Sequence, residues 1–477
     1  MLFRDQRLTE RRTRHRRGAT PAGWVVATVW IAGVGAAHAG TTKEARVQTG
    51  VEYHSNAFLS DGTINEIEPG LSLLLKPQLG YSRDEGAHAY NVRGAWSIRK
   101  YLDVKPDNAF ITTNLDRWRD MDVDGNFDLR RESPVGFRAN DHFEVISTPA
   151  ELATAEEGTN ANIRLTSNDL RGGLVFRPSS EGSALEAALL GNYGLDRYDV
   201  PDILAASSNA NINNRTNYGP LLDVRWRFLP RTSLVARASM NWLDWENNLV
   251  SAVGADVAAG GTPYGSFIGK PDASKWHVGG GLRGQVTDRL ATVVEFGFGQ
   301  MTYDETSVAT ALGAATDELA LVGDENYARD LDTFGEGFTT NLVVKYALGS
   351  LGDQRPRHTV GLSYKKDFQD AFFTNYNAFN NFSAQYTGNF GQALAVDLEG
   401  TFRLDGYHGE IARTDAVFRV RSGVSWQPSK DSPLGVALGA GWNERACADA
   451  ECEGGGFYGV QYDDFYGTFG VSYSYPN

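Results

Sequence analysis

The stretch 465–475 alternates without a break. Phe465, Gly467, Phe469, Val471, Tyr473 and Tyr475 fall on one face of an extended chain, and Tyr466, Thr468, Gly470, Ser472 and Ser474 on the other. A period of two sustained over this length marks a strand with one apolar and one polar face. An edge strand of a soluble β-sandwich has that pattern, and so has a strand with lipid on one side and water on the other. The rest of the chain decides between them.

The chain opens with an Arg-rich segment (Arg4, Arg7, Arg11, Arg12, Arg14, Arg16, Arg17), runs through an apolar stretch at 24–37, and reaches Ala37-His38-Ala39. These are the three regions of a secretory signal with a small-x-small cleavage site. The stretch is shorter than the roughly 20 residues of a spanning helix. The expected organisation is a signal peptide over 1–39 and one long domain over 40–477. No later segment is apolar for 18 residues or more, and mean hydropathy is −0.36, so nothing would hold the chain in the inner membrane. The leader carries seven Arg and two acids, so a whole-chain formal charge of −14 becomes −19 from Gly40 onward. That balance disfavours nucleic acid as a partner.

From Gly40, alternating segments rich in aromatic and β-branched residues recur about every 20 to 25 residues. Eighteen are expected: 44–55, 67–81, 89–104, 114–130, 135–146, 168–176, 184–198, 217–228, 233–245, 275–286, 290–303, 334–347, 358–368, 377–386, 393–405, 415–426, 433–442 and 461–475. After even-numbered segments the connections are short and turn-like, as at Arg83-Asp84-Glu85-Gly86 and Leu229-Pro230-Arg231. After odd-numbered ones they are mostly long, as at 147–166, 199–216, 246–274 and 304–333. The turn at 350–357 is long for its class. Sorted loops and an even strand count predict an all-β, transmembrane antiparallel β-barrel with short periplasmic turns and long extracellular loops in the bacterial outer membrane. Closure would pair the first strand with the last, because lipid cannot satisfy an open edge.

The polar faces are heavily charged. Asp116, Asp120, Asp122, Asp124 and Asp128 share one phase of the fourth segment, opposite Met121, Val123, Phe127 and Leu129. A dry core would not tolerate that row, and a watery lumen would. Arg93, Arg99, Arg138, Arg225, Arg227, Arg237, Arg419 and Arg421 have inward phase and complete the candidate lumen lining. A wall of 16 to 18 strands leaves an aqueous interior.

Other motifs carry less. Asp120-x-Asp122-x-Asp124-Gly125 begins like a calcium loop, but the position that needs Glu holds Arg131 and Glu132 is one late, so the row is read as lumen wall with no metal. A lipid hydrolase needs a Ser–His pair at the lipid face. His54, His142 and His277 have inward phase, while His88, His358 and His408 lie at turns or strand ends, so no enzyme and no cofactor are expected. The loop 304–333 holds eight acids against Arg329, has a stretch at 308–321 able to form a short helix, and reads as a solvated surface loop or as a constriction folded into the mouth or lumen. Cys447 and Cys452, the two cysteines, are expected to form a small loop disulfide in an oxidising compartment.

The alternating, aromatic-ended C terminus resembles the signal that barrel assembly machinery reads, except that Pro476 and Asn477 follow Tyr475. Val51-Glu52-Tyr53-His54-Ser55-Asn56-Ala57-Phe58-Leu59, then Ile67-Glu68-Pro69-Gly70-Leu71, and the end of the Asp-rich strand at Asp128-Leu129-Arg130-Arg131 resemble a bacterial β-barrel porin family found with exopolysaccharide-export and exosortase gene clusters. The resemblance implies an outer-membrane conduit serving periplasmic polysaccharide-export proteins and a polysaccharide. It implies no catalytic residue. The mixed, acid-leaning lumen departs from the basic one expected for a polyanion. The expected function is a passive channel, with a structural or adhesive barrel that binds a partner through its loops as the alternative.

Overall fold

The computed structural model describes residues 41–55, 69–102, 117–146, 164–179, 184–199, 214–246, 272–303, 335–351, 355–370, 376–391, 393–408, 413–429, 432–447 and 462–474. The expected leader, Asp116, Cys452 and the acidic loop 304–333 lie outside them.

Eighteen strands follow one another: β1 Thr41–His54, β2 Gly70–Asp84, β3 His88–Tyr101, β4 Arg117–Leu129, β5 Val135–Ile146, β6 Arg164–Phe176, β7 Leu185–Asp199, β8 Arg215–Leu229 and β9 Thr232–Trp245. Then come β10 Ala273–Gln285, β11 Leu290–Tyr303, β12 Gly335–Leu351, β13 Arg355–Asp370, β14 Tyr376–Phe390, β15 Leu394–His408, β16 Arg413–Trp426, β17 Leu434–Cys447 and β18 Tyr462–Ser474. Each pairs antiparallel with the next, and β1 pairs with β18 from Arg46↔Ser474 to His54↔Tyr466, which closes the sheet. The chain is a closed antiparallel β-barrel. Closure leaves no edge whose N–H and C=O groups would face lipid.

Alternation fixes the two faces. Leu73, Leu79, Leu174, Leu189, Phe296, Phe338, Leu362, Leu438 and Phe469 stand exposed on the outside. An apolar belt of that extent would be ruinous in water and is the lipid contact of a transmembrane barrel. Outward aromatics gather toward both rims: Trp226 and Phe228 with Trp426 at one, Tyr218 and Trp242 with Phe298 and Phe338 at the other. Amphipathic rings take such places at the two membrane–water boundaries.

Several expected segments fall short at their ends. β6 starts at Arg164 and β17 runs to Cys447, because Arg445 and Cys447 continue the inward phase after the outward apolar residues stop. The connection read as long at 350–357 is short: β12 runs to Leu351, β13 starts at Arg355, and Leu351 pairs with Arg355. Pro220 pairs with Gly191 of β7 and interrupts the β9 register on its other side, as a residue without an N–H must.

The inner face is not uniformly wet. Val175, Ala188 and Leu190 are buried there with Leu221 against them, and Leu243, Trp245, Ala273 and Met301 form a second apolar cluster. Inside β14–β18 toward the long-loop rim, Asn377, Asp405, Asp415, Arg445 and Asp464 are all buried. The barrel interior is thus part channel wall and part packed core.

Candidate functional site

The inner wall holds nearly all of the charged lumen candidates. On β4, Met121 faces out, so Asp120, Asp122, Asp124 and Asp128 face in. Register then assigns neighbours: Arg93 of β3 lies across from Asp124, and on the other side β5 sets Glu144 across from Asp122, His142 from Asp124 and Arg138 from Asp128. His142 Nδ1 is 2.8 Å from Asp124 Oδ1. Arg99 donates through Nε to Glu52 Oε2 at 2.8 Å, spanning from β3 to β1.

Toward the short-turn rim the charges close into a ring. Arg138 meets Asp128 at 3.1 Å and Glu186 at 2.9 Å, and Arg177 meets the same two carboxylates at 3.1 and 2.9 Å. Two cations and two anions in alternation satisfy one another better than separate pairs do. Arg177 follows β6 directly and reads in the sequence as the start of a turn, so period alone does not reveal it. Beyond the ring, Arg225 donates to Ser233 Oγ at 3.1 Å, Arg237 pairs with Asp223 at 2.9 Å, and Arg283 pairs with Glu295. Arg225 and Arg227 line, with Arg131, Arg177 and Asp128, a cavity of about 790 Å³ along the wall. On the far side Arg419 is hydrogen-bonded to Tyr462 and Arg421 to Tyr466.

The wall is therefore sorted by sector. Acids dominate the middle of β4, with Glu144 of β5 beside them, and arginines dominate β8 and β16. Such a surface can hold and orient charged solute in water, and among the described residues it presents no nucleophile activated by a base. Ser55 and His54 both contact Asp464, the serine at 3.4 Å and the His54 Nδ1 at 2.8 Å, so neither is placed to activate the other. They tie β1 to β18 instead.

Cys447 ends β17 and is disulfide-bonded, with Cys452 the other cysteine in the chain. Thiol labelling of the unreduced protein is expected to find no reactive cysteine, and two after reduction and unfolding. Two labelled thiols without reductant would refute the bridge.

No protein-family model and no curated protein matches the sequence. Among solved structures, similarity is found to OccAB3 of Acinetobacter baumannii at 12% identity and TM-score 0.42, over 91% of this chain and 99% of that one. OpdK of Pseudomonas aeruginosa with vanillate gives 11% and 0.42 over 91% and 99%, and OpdQ of the same organism 10% and 0.42 over 91% and 98%.

Proposed function

We propose that the chain is a passive outer-membrane channel, specialised as the conduit for a polysaccharide handed over by periplasmic export proteins. The carrying observation is a closed 18-strand wall whose inward charges are open to solvent, with Asp122 61% and Asp124 52% exposed. A wall of this strand number is too wide for side chains alone to fill. The polymer specialisation rests on the resemblance of the opening strand and loop at 51–71. Lipid and the barrel assembly machinery are the partners this reading requires. A leader cleaved after Ala39 belongs to the same reading, and the mature protein should begin at Gly40 by mass.

The purified barrel in a planar bilayer with EDTA present should show single-channel steps. The triple variant Asp120→Asn, Asp122→Asn, Asp124→Asn should shift selectivity toward anions. One charge about 8 Å from a permeating ion contributes about 0.5 kcal/mol in water. Screening over about 10 Å at 0.1 M salt roughly halves it. Removing three charges then costs the cation about threefold and favours the anion about threefold, so the cation-to-anion permeability ratio falls about tenfold, and the difference should vanish near 1 M salt, where the Debye length is about 3 Å. Steps with an unchanged ratio would remove the acidic row from the permeation path. No steps in either protein would favour the structural or adhesive barrel, which the packed interior at β14–β18 would suit.

A further inference from the structure

The four side chains at the centre of the acidic sector form a square. Asp122 and Asp124 point inward from β4, two residues apart, and register places Glu144 and His142 directly across from them on β5. His142 Nδ1 lies 2.8 Å from an Asp124 oxygen and 3.9 Å from an Asp122 oxygen. One donor atom from each of the three lies within 4.8 Å of the other two. Ligands held 2.0–2.2 Å from a zinc-like ion stand about 3.0–3.6 Å apart, a range these two separations bracket.

We propose that this square is a lumenal binding site for a divalent transition-metal cation of the zinc class. His142 Nδ1 and one oxygen each from Asp122 and Asp124 are the ligands, and lumen water fills the remaining positions. The fourth side chain of the square stands behind the histidine. Glu144 Oε2 lies 3.6 Å from His142 Nε2, where a small shift lets it accept the Nε2–H. A carboxylate behind a histidine ligand fixes ring orientation and tautomer, and metal-bound histidines almost always have such a partner. Imidazole in the set selects zinc, copper or nickel over magnesium and calcium, which prefer all-oxygen sites.

The geometry also differs from the calcium loop suggested by the spacing of Asp120, Asp122 and Asp124. That loop must curl around its ion, whereas these residues lie on a straight strand and need the cross-strand histidine to converge. Strands of a closed barrel hold ligands more rigidly than a loop does. The local balance favours a cation, with Asp120, Asp122, Asp124 and Glu144 around it and Arg93 across from Asp124. All three ligands are at least 43% exposed, so an ion in the lumen can reach them.

Calorimetric titration of the purified full-length barrel with zinc chloride tests the site without requiring that the channel conduct. Saturable binding of one equivalent is expected, weakened about tenfold or more in His142→Ala and in the isosteric Asp124→Asn, and unchanged in His277→Ala. Magnesium at the same concentration should not compete. Zinc affinity equal in the wild type and both site variants, or no saturable binding, would overturn the proposal. The consequence for permeation rests on the channel reading: bound zinc should lower cation selectivity in the wild type and not in His142→Ala. Calorimetric binding without any conductance would keep the site and refute the channel.

Discussion

Replacing Asp415 with Ala is expected to destabilise the barrel by about 3–5 kcal/mol, the range for removing one member of a buried ion pair. Arg445 is almost wholly buried, with 1% of its side chain exposed, and Asp415 is close to it at 4%. The guanidinium donates through Nε to Asp415 Oδ2 at 3.0 Å, through Nη2 to the same oxygen, and from Nη2 to the Tyr407 hydroxyl at 2.9 Å. Arginine does not shed its proton in a protein, so losing the carboxylate strands a charge where water cannot solvate it. The exposed pair Arg131–Asp84 sets the contrast: Asp84→Ala should leave the unfolding midpoint close to wild type. A double variant with Leu at both 415 and 445 should recover much of the loss, because no charge is left to desolvate. Urea midpoints in detergent, read by tryptophan fluorescence and by the heat-dependent gel shift of folded barrels, provide the measurement. If Asp415→Ala costs no more than Asp84→Ala, the pair is not the anchor of this wall.

That anchor shows where reading the sequence stops. Alternation along one strand gives its two faces, so the Asp row of β4 could be assigned inward from Met121, Phe127 and Leu129 alone. Sorted connections then gave the number of strands and the closure between β1 and β18. Neither signal says how the residues of one inner face meet those of the next. Asp415, Asp405 and Asp464 have the same inward phase as Asp122, yet they are buried while Asp122 is open. The difference arises from neighbours on β14 to β18, several strands apart in sequence. The apolar inner clusters escape for the same reason, since Val175, Ala188 and Leu190 each sit in a polar phase of their own strand. His142 reads as one more inward histidine until register sets it across from Asp124. Pairing is a two-dimensional property, and the sequence displays one dimension of it.

The same limit applies at the closing seam, where a second large effect is expected. Gly50 of β1 and Gly470 of β18 are direct partners, and in the sequence they are equivalent small residues on inward faces. The structure separates them. A Cβ at Gly50 would be driven into the carbonyl oxygen of Phe469, which is backbone and cannot swing aside, with the Gly470 Cα 3.1 Å away. A Cβ at Gly470 would meet the mobile end of Gln48 at 3.3 Å and the Thr49 carbonyl at 3.5 Å. Gly50→Ala must therefore move the two strands apart. Overpacking alone costs about 1–3 kcal/mol, and each ladder hydrogen bond broken at lipid depth adds several more. The bonds at risk lie between the clamp at the long-loop end, where Ser55 N–H donates to the Phe465 carbonyl at 2.8 Å, and Arg46↔Ser474 at the other end. Gly50→Ala should lower the folded fraction and the urea midpoint, while Gly470→Ala should stay close to wild type. Equal behaviour of the two variants would mean that the strands of the seam give way more easily than their register implies.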